Sequence, residues 1–351
     1  MNPLKTPNTP KTMNRKRLVG VAAIAAVLLG PAPIALARGG ATPDRDPLDE
    51  ARQAAEQTPF SGSVTLQWRE ASVLHTDELT VQGAHGTLLA QGQRSAMAVG
   101  AERLLYSPGN GWQELWPAAL GSPARPSLDS AYDVRSTGTD EVAGYPTEVV
   151  EVRKAGVVRE RLDLEAATKL LLRRRQYDSK GVLERAFTFD RIEIGDASMT
   201  TPTTPPAPKQ AGPRALSWNA VSSSEREPTR LAAGYRRLGA YQQQGILQLV
   251  YSDGLYDLSL FQQQGGLDSN ALPAQRRSVR LDGRPAWAFS WPGGEGLVWT
   301  AGRTVYTLMG DVPDDELTQV AASVPVHPST SVMHRLRQAC RGLVDSFTAT
   351  S

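Results

Sequence analysis

Cysteine is almost absent, because the 351-residue chain contains only Cys340. No internal disulfide can form, so the folded state must be stabilised by buried apolar surface. A dithiol redox centre is excluded for the same reason. We expect Cys340 to behave as a small apolar residue on a helix, with a disulfide between two chains as the alternative.

An excess of charge of one sign is also missing. The 38 Lys and Arg residues nearly balance the 36 Asp and Glu residues, which leaves a net charge of +2. A nucleic-acid partner requires a concentrated basic face, so the composition argues against one. The densest basic cluster is Arg173-Arg174-Arg175. Its side chains would alternate between the two faces of a predicted strand, and we expect a solvated sheet face there.

The sequence motifs of common catalytic and metal sites are lacking as well. The chain has four histidines: His75, His85, His327 and His334. None has a second ligand at metal-binding spacing, and neither H-E-x-x-H nor G-x-S-x-G occurs. The glycine-rich segments at 109–111 and 293–296 lie between predicted strands, which favours turns over phosphate cradles. We therefore expect a binding protein without catalytic residues, metal or cofactor.

The N-terminus has the three-part pattern of a secretory signal. A basic stretch at 11–17 precedes an apolar run at 18–29, and Ala35-Leu36-Ala37 is a small-residue cleavage site. The apolar run is short for a membrane span. We expect residues 1–37 to be a cleaved signal peptide that places the protein in the periplasm or another extracytoplasmic space. An uncleaved membrane anchor and a start at Met13 are the alternatives.

Most of the next 160 residues favour strands. Four strands joined by tight turns are predicted at 147–152, 157–164, 169–177 and 182–194. Six more are predicted before them, at 63–68, 78–81, 86–90, 95–99, 103–106 and 111–115. Apolar residues alternate with charged ones, which is typical of an antiparallel sheet with one buried face. One short helix precedes them, with Asp46 as its N-cap, Pro47 in its first position and Pro59 after its end.

Composition divides the chain into segments. We expect a disordered spacer at 38–45, a first domain at 46–198 and a Pro/Thr-rich linker at 199–217. A smaller α+β domain is predicted at 218–326, built from hairpins and closed by a helix that Asp311 caps. The tail at 327–351 is predicted to be an amphipathic helix, which docks on its own domain or meets a partner or the membrane surface.

A curved sheet with a helix on one face can enclose an apolar hollow suited to an acyl chain or a partner segment. Strand alternation predicts the residues that line it: Leu66, Trp68, Leu79, Val81, Leu105, Val150, Val152, Leu162, Phe187 and Phe189. The alternative interpretation of these side chains is an ordinary core. The residues that would contact a protein partner are not predictable from the sequence.

Several segments together resemble one known family. They are 60–64 (Phe-Ser-Gly-Ser-Val), 142–150, 161–164, 171–174, Tyr177-Asp178, 181–183, 187–190, 251–255 and 305–313. In this order they are similar to the RseB/MucB family of exported regulators of extracytoplasmic sigma factors. The resemblance spans most of residues 46–326, but it does not extend to 76–126 or to the tail.

The resemblance implies an α+β fold: an N-terminal LolA-like antiparallel half-barrel with a helix plug, a Pro-rich linker and a smaller C-terminal α+β domain. It also implies a non-enzymatic regulator of the envelope stress response. Such a protein binds the extracytoplasmic part of a membrane-spanning anti-sigma factor, shields it from proteolysis and releases it when a lipid-like ligand binds. The alternative function is a lipid or lipoprotein carrier of the LolA type.

Overall fold

The fold was analysed in a computed structural model of the chain. It describes residues 46–84, 87–91, 96–99, 103–107, 111–114, 128, 131–195, 214–216, 228–243, 245–269, 272, 276–291 and 293–325. The predicted signal peptide, spacer and tail helix, Cys340 and most of the predicted linker lie outside these residues. Within them, no helix is long and apolar enough to cross a membrane.

Helix α1 (Pro47–Gln57) begins where the sequence predicts. The Leu48 N–H donates to Asp46 Oδ1 at 2.9 Å, and proline occupies the first helical position, where no N–H is needed. The helix ends before Thr58. Its buried side chains follow a helical period and are Leu48, Ala51, Ala54 and Ala55.

Eleven strands form the first sheet. They are β1 (Phe60–Glu70), β2 (Val73–Ala84), β3 (Thr87–Gln91), β4 (Ala96–Val99), β5 (Arg103–Ser107), β6 (Gly111–Glu114), β7 (Tyr132–Val142), β8 (Tyr145–Lys154), β9 (Val157–Glu165), β10 (Leu171–Tyr177) and β11 (Leu183–Ile194). Their order is β6-β5-β4-β3-β2-β1-β11-β10-β9-β8-β7. All neighbours in the sheet are antiparallel. All ten predicted strands of this region are present.

Strand β7 is the one strand of the first sheet that was not predicted from the sequence. It lies at an end of the sheet, and its residues from Arg135 to Glu141 are exposed on both faces. An edge strand without a buried face has no alternation of apolar and polar residues, so the period-2 signal is absent.

The second sheet has eight strands. They are β12 (Arg214–Ala215), β13 (Arg236–Gln243), β14 (Ile246–Ser252), β15 (Asp257–Gln264), β16 (Arg277–Leu281), β17 (Arg284–Trp291), β18 (Gly294–Ala301) and β19 (Thr304–Gly310). Their order is β12-β13-β14-β15-β19-β18-β17-β16. The hairpins predicted for this domain are present in β14 to β19, whereas β12 and β13 were not predicted. A short 3₁₀ turn, Ala232–Gly234, precedes β13.

Helix α2 (Asp314–Ala322) follows β19, but the predicted cap is wrong. The N-cap is Pro313, and no side chain caps the helix. The carboxylate of Asp311 instead accepts the Asp257 N–H at 2.8 Å and so joins the start of β15 to the approach to α2. The run of acidic residues from Asp314 to Glu316 lies in the first turn, where it complements the helix dipole.

Both sheets contribute to one large hydrophobic core. In the second sheet a cross-strand row of small and aliphatic side chains is buried: Leu249, Leu260, Leu308, Leu297 and Ala288. We refer to α1 with the first sheet as the first domain, and to the second sheet with α2 as the second domain. The candidate site lies where these two domains meet.

Candidate functional site

The strand register places nine of the ten predicted hollow residues, all except Leu105, on one face of the first sheet, which we call the inner face. Val150 pairs with Leu162, and the same row continues through Arg174 to Phe187 and Leu66. Adjacent side chains on one face of a sheet are in contact, so distant parts of the sequence meet along this row.

The neighbouring rows account for the other predicted residues. Val152 and Trp68 stand in a row with Glu160, Gln176 and Arg185. Leu79 and Phe189 both pair with Val64. Leu105 stands, by register, in the row that runs through β4 and β3 to Val81.

Eight of the ten predicted hollow residues are buried: Leu66, Leu79, Val81, Val150, Val152, Leu162, Phe187 and Phe189. Trp68 is half-buried and stacks on His75 with 5.3 Å between ring centroids, and the side chain of Leu105 lies outside the described residues. The buried residues belong to the same core as the apolar side of α1. Among the described residues, the apolar half of the inner face is thus filled by core side chains. A ligand hollow at this position stays a prediction.

The other half of the inner face is polar and receives the second domain. Arg185 donates to Glu295 Oε1 at 2.8 Å and to the Val312 carbonyl at 3.1 Å. Gln176 donates to the Asp311 carbonyl at 2.6 Å. These contacts join β10 and β11 to β18 and to the segment before α2, so the second domain is held against the strands that carry the apolar rows.

A second group of contacts lies at the end of β8 and the start of β9. Lys154 Nζ lies 3.3 Å from the Glu316 carboxylate and 3.6 Å from that of Asp253. The Tyr132 hydroxyl donates to Asp253 at 2.6 Å. Arg159 donates to Glu316 at 3.2 Å.

A β-bulge explains how Arg159 reaches the second domain. Val152 pairs with Glu160 and the next residue of β8 pairs with Val158, so Arg159 has no partner in the ladder. A bulge redirects a side chain in this way. Although the sequence pattern predicts that Arg159 faces water, it is 4% exposed.

We call these contacts the interdomain seam. In each of these ion pairs the cation comes from the first domain and the acid from the second. The cations are Lys154, Arg159, Arg174 and Arg185. The second domain supplies the acids Asp253, Glu295, Asp311, Asp315 and Glu316. Charge complementarity of this kind fixes the register of an interface.

Burial changes the proton affinity of the acids in the interdomain seam. Burial raises the pKa of Glu295 to about 8, although the neighbouring Arg185 guanidinium favours the charged form. Burial also raises the pKa of Asp253 and Glu316, and the Lys154 ammonium opposes this shift at both. Desolvation disfavours the charged form of a carboxyl group in each case.

The arginine cluster predicted to be a solvated face divides between the two faces of β10. Arg174 turns inward, where Nε and Nη2 donate to Glu160 at 2.8 and 2.6 Å. Arg173 and Arg175 turn outward and both donate to Asp163, which is completely buried. The alternation of side chains is confirmed, but the middle arginine belongs to the inner face and not to solvent.

The described residues contain no group of three or more His, Cys, Asp or Glu side chains that could hold a metal ion. The polar residues of the inner face were missed as functional candidates, although a signal was present. Glu160 lies two residues before Leu162, so the two share a face of β9. Gln176 lies two residues after Arg174, so these two share a face of β10. A charged residue at a core position requires a partner. Glu160 accepts from Arg174 and Gln176 within the first sheet, and Gln176 also donates to the Asp311 carbonyl of the second domain.

Comparison with known proteins identifies the first domain. The model of the MucB/RseB N-terminal domain matches residues 46–211. Residues 46–211 are therefore assigned to the MucB/RseB N-terminal domain family. No curated protein sequence matches it.

The chain shares its fold with solved MucB. The chain is similar to MucB in the Pseudomonas aeruginosa MucA/MucB complex, with 20% identity, a TM-score of 0.51, and coverage of 81% of this chain and 98% of that one. A second structure, MucB in complex with MucA(peri), gives 19% identity, a TM-score of 0.49, and coverage of 81% and 98%. A putative outer membrane lipoprotein-sorting protein domain from Vibrio parahaemolyticus gives 12% identity, a TM-score of 0.23, and coverage of 44% and 93%.

Proposed function

We propose that this MucB/RseB family member is an exported, non-enzymatic regulator that binds the extracytoplasmic part of a membrane-spanning anti-sigma factor. Bound in this way, it shields the anti-sigma factor from the protease that would release the sigma factor. The match of residues 46–211 to the family model carries the proposal. The fold shared with MucB, which has been solved together with MucA, supports it.

The interdomain seam supports a binding role for the two domains together. Buried ion pairs and hydrogen bonds such as Arg185 to Glu295 and Tyr132 to Asp253 hold the domains in one arrangement. A partner segment can then contact both domains without the entropic cost of ordering them first.

The first experiment measures binding. The mature chain from Arg38 is mixed with the periplasmic part of MucA, and with the ectodomain of a membrane-spanning anti-sigma factor from its own organism. We expect a stable complex on size exclusion with at least one of them. Limited proteolysis of the ectodomain should slow by about tenfold or more in the complex, since cleavage then requires dissociation. Absence of binding to both ectodomains would contradict the proposal.

The second part of the proposal is an apolar, lipid-like ligand that triggers release. It concerns the predicted hollow residues of the inner face, of which Leu162 and Phe187 stand in the central row. A lipid or lipoprotein carrier would use the same face without an anti-sigma partner. Native mass spectrometry of the gently extracted protein separates the two functions, because a carrier retains an acyl ligand stoichiometrically whereas a regulator binds it only under stress.

A further inference from the structure

Three groups of charges lie at the interdomain seam, and in each group the acids outnumber the cations. In the first group, the cations of Lys154 and Arg159 face three carboxyl groups of the second domain, on Asp253, Asp315 and Glu316. In the middle group, Arg174 faces two carboxyl groups, on Glu160 and Asp311. Each of these two groups therefore has one more acid than cations.

The third group surrounds Glu295. Arg185 pairs with Glu295 at 2.8 Å, and Arg277 pairs with Asp314 at 2.8 Å. Asp314 and the buried Glu184 both lie close enough to Glu295 to oppose its charge. Three acids thus face two arginines here. Glu184 is flanked by one further charge of each sign, on Asp178 and Arg69.

The phenol groups at the seam do not balance this excess. Tyr132 donates to Asp253 at 2.6 Å, and Tyr235 donates to Glu316 at 2.9 Å. Burial is the main cause that raises the pKa of both hydroxyls, so they remain neutral donors. Tyr256, whose hydroxyl lies near the backbone of β9, is neutral for the same reason.

An excess of buried negative charge is costly, and a bound proton is the simplest way to remove it. Loss of water and repulsion between like charges both make a carboxyl group hold its proton more tightly. The pKa of Asp253, Glu295 and Glu316 is raised accordingly, with burial as the main cause at each. When the domains separate, water solvates the same carboxyl groups, and their protons are released at neutral pH.

We propose that docking of the second domain takes up protons, so that mild acid strengthens the interdomain seam and alkali weakens it. The docked protein binds these protons more tightly than the separated domains do. For Glu295, this contribution to docking is fully present below about pH 4.5 and is lost as the pH rises through about 8. The inference goes beyond the proposed function, because it concerns the contact between the two domains and not the partner.

The test measures domain docking in the mature chain from Arg38 as the pH is changed. Spin labels at Thr139→Cys and Ser278→Cys, in a Cys340→Ser chain, report the distance between the domains, and both label sites are exposed. At each pH, urea is added until the labels move apart. The equilibrium constant for separation, extrapolated to water, should rise by about tenfold or more between about pH 6 and about pH 9. A constant that stays the same or falls over this range would overturn the proposal.

Neutral variants distinguish the acids of the seam from other titrating groups. Glu295→Gln and Glu316→Gln imitate the protonated carboxyl in two different groups, and each should reduce the pH dependence of separation severalfold. Asp133→Asn, in an exposed pair with Arg135, is the matched control and should keep the wild-type pH profile. If both seam variants keep that profile as well, the protons are taken up elsewhere and the proposal is wrong.

Discussion

Arg185 and Glu295 belong to different sheets, yet they form a 2.8 Å ion pair in which the side chains are only 9% and 2% exposed. Glu295 is further held by the Ser290 hydroxyl at 2.7 Å, and Arg185 also donates to the Val312 carbonyl. Both charges are therefore removed from water and depend on each other. Loss of either residue would therefore leave the other as a buried charge without its counter-ion.

Removing one member of the pair should be costly. Above about pH 8, where Glu295 is charged, Arg185→Met leaves it buried without a counter-ion, and we expect a loss of about 3–5 kcal/mol in the free energy of unfolding, measured in urea. The double variant Arg185→Met/Glu295→Met should recover most of that loss, because no buried charge is left. Arg135→Met, at an exposed pair, should change stability by less than about 1 kcal/mol. A single variant as stable as this control would show that the pair contributes little.

The pH dependence of stability should report Glu295. Its pKa is raised from 4.5 to about 8 by burial, so the folded protein binds the proton more tightly than the unfolded chain does. This contribution is fully present below about pH 4.5 and is lost as the pH rises through about 8. We expect the difference in unfolding free energy between wild type and Glu295→Gln to change over this window by more than about 1 kcal/mol, towards a less stable wild type at high pH. A constant difference would contradict the assignment.

Close packing of Phe60 on Gly83 gives a test of the first sheet. The two residues are cross-strand partners, and a Cβ at Gly83 would lie 2.3 Å from the Phe60 ring. Gly83→Ala should therefore destabilise the protein by about 1–3 kcal/mol in a thermal or urea melt. Replacement of Phe60 by leucine should make the same change less harmful. Gly266→Ala is the control, because nothing lies within 4 Å of a Cβ there.

The start of α1 offers a local prediction. Asp46 accepts the Leu48 N–H at 2.9 Å, so Asp46→Ala should cost about 1 kcal/mol of unfolding free energy. Asp46→Asn keeps a capping oxygen and should stay close to wild type. If alanine and asparagine have equal effects in urea unfolding, the cap is not a stabilising contact.

Regular elements with a buried face were predictable from the sequence. The strand from Val157 to Glu165 alternates apolar and charged residues, and the register confirms that Leu162 and Leu164 share a face. Strand β7 was missed because an edge strand has no such alternation. The cap of α2 was misassigned because an aspartate three residues before a helix can equally bond another strand, as Asp311 does with Asp257.

The candidate site was only half predictable. Alternation on separate strands was sufficient to select nine described residues that share one face, because the direction of a side chain is a local property of a strand. The partners of Gln176 and Arg185 on the second domain could not be selected in this way. They depend on which domain lies over the sheet, and no local sequence pattern indicates a contact between two residues 110 positions apart, such as Arg185 and Glu295.

By itself, the amino-acid sequence determined the antiparallel sheets, the capped first helix and the face that each strand buries, because backbone propensity and side-chain period act over a few residues. Only the tertiary structure decided that the same sheet face is apolar under α1 and ionic under the second domain. Burial of a charge is stable only beside its counter-charge, and that pairing exists only once both domains are folded against each other.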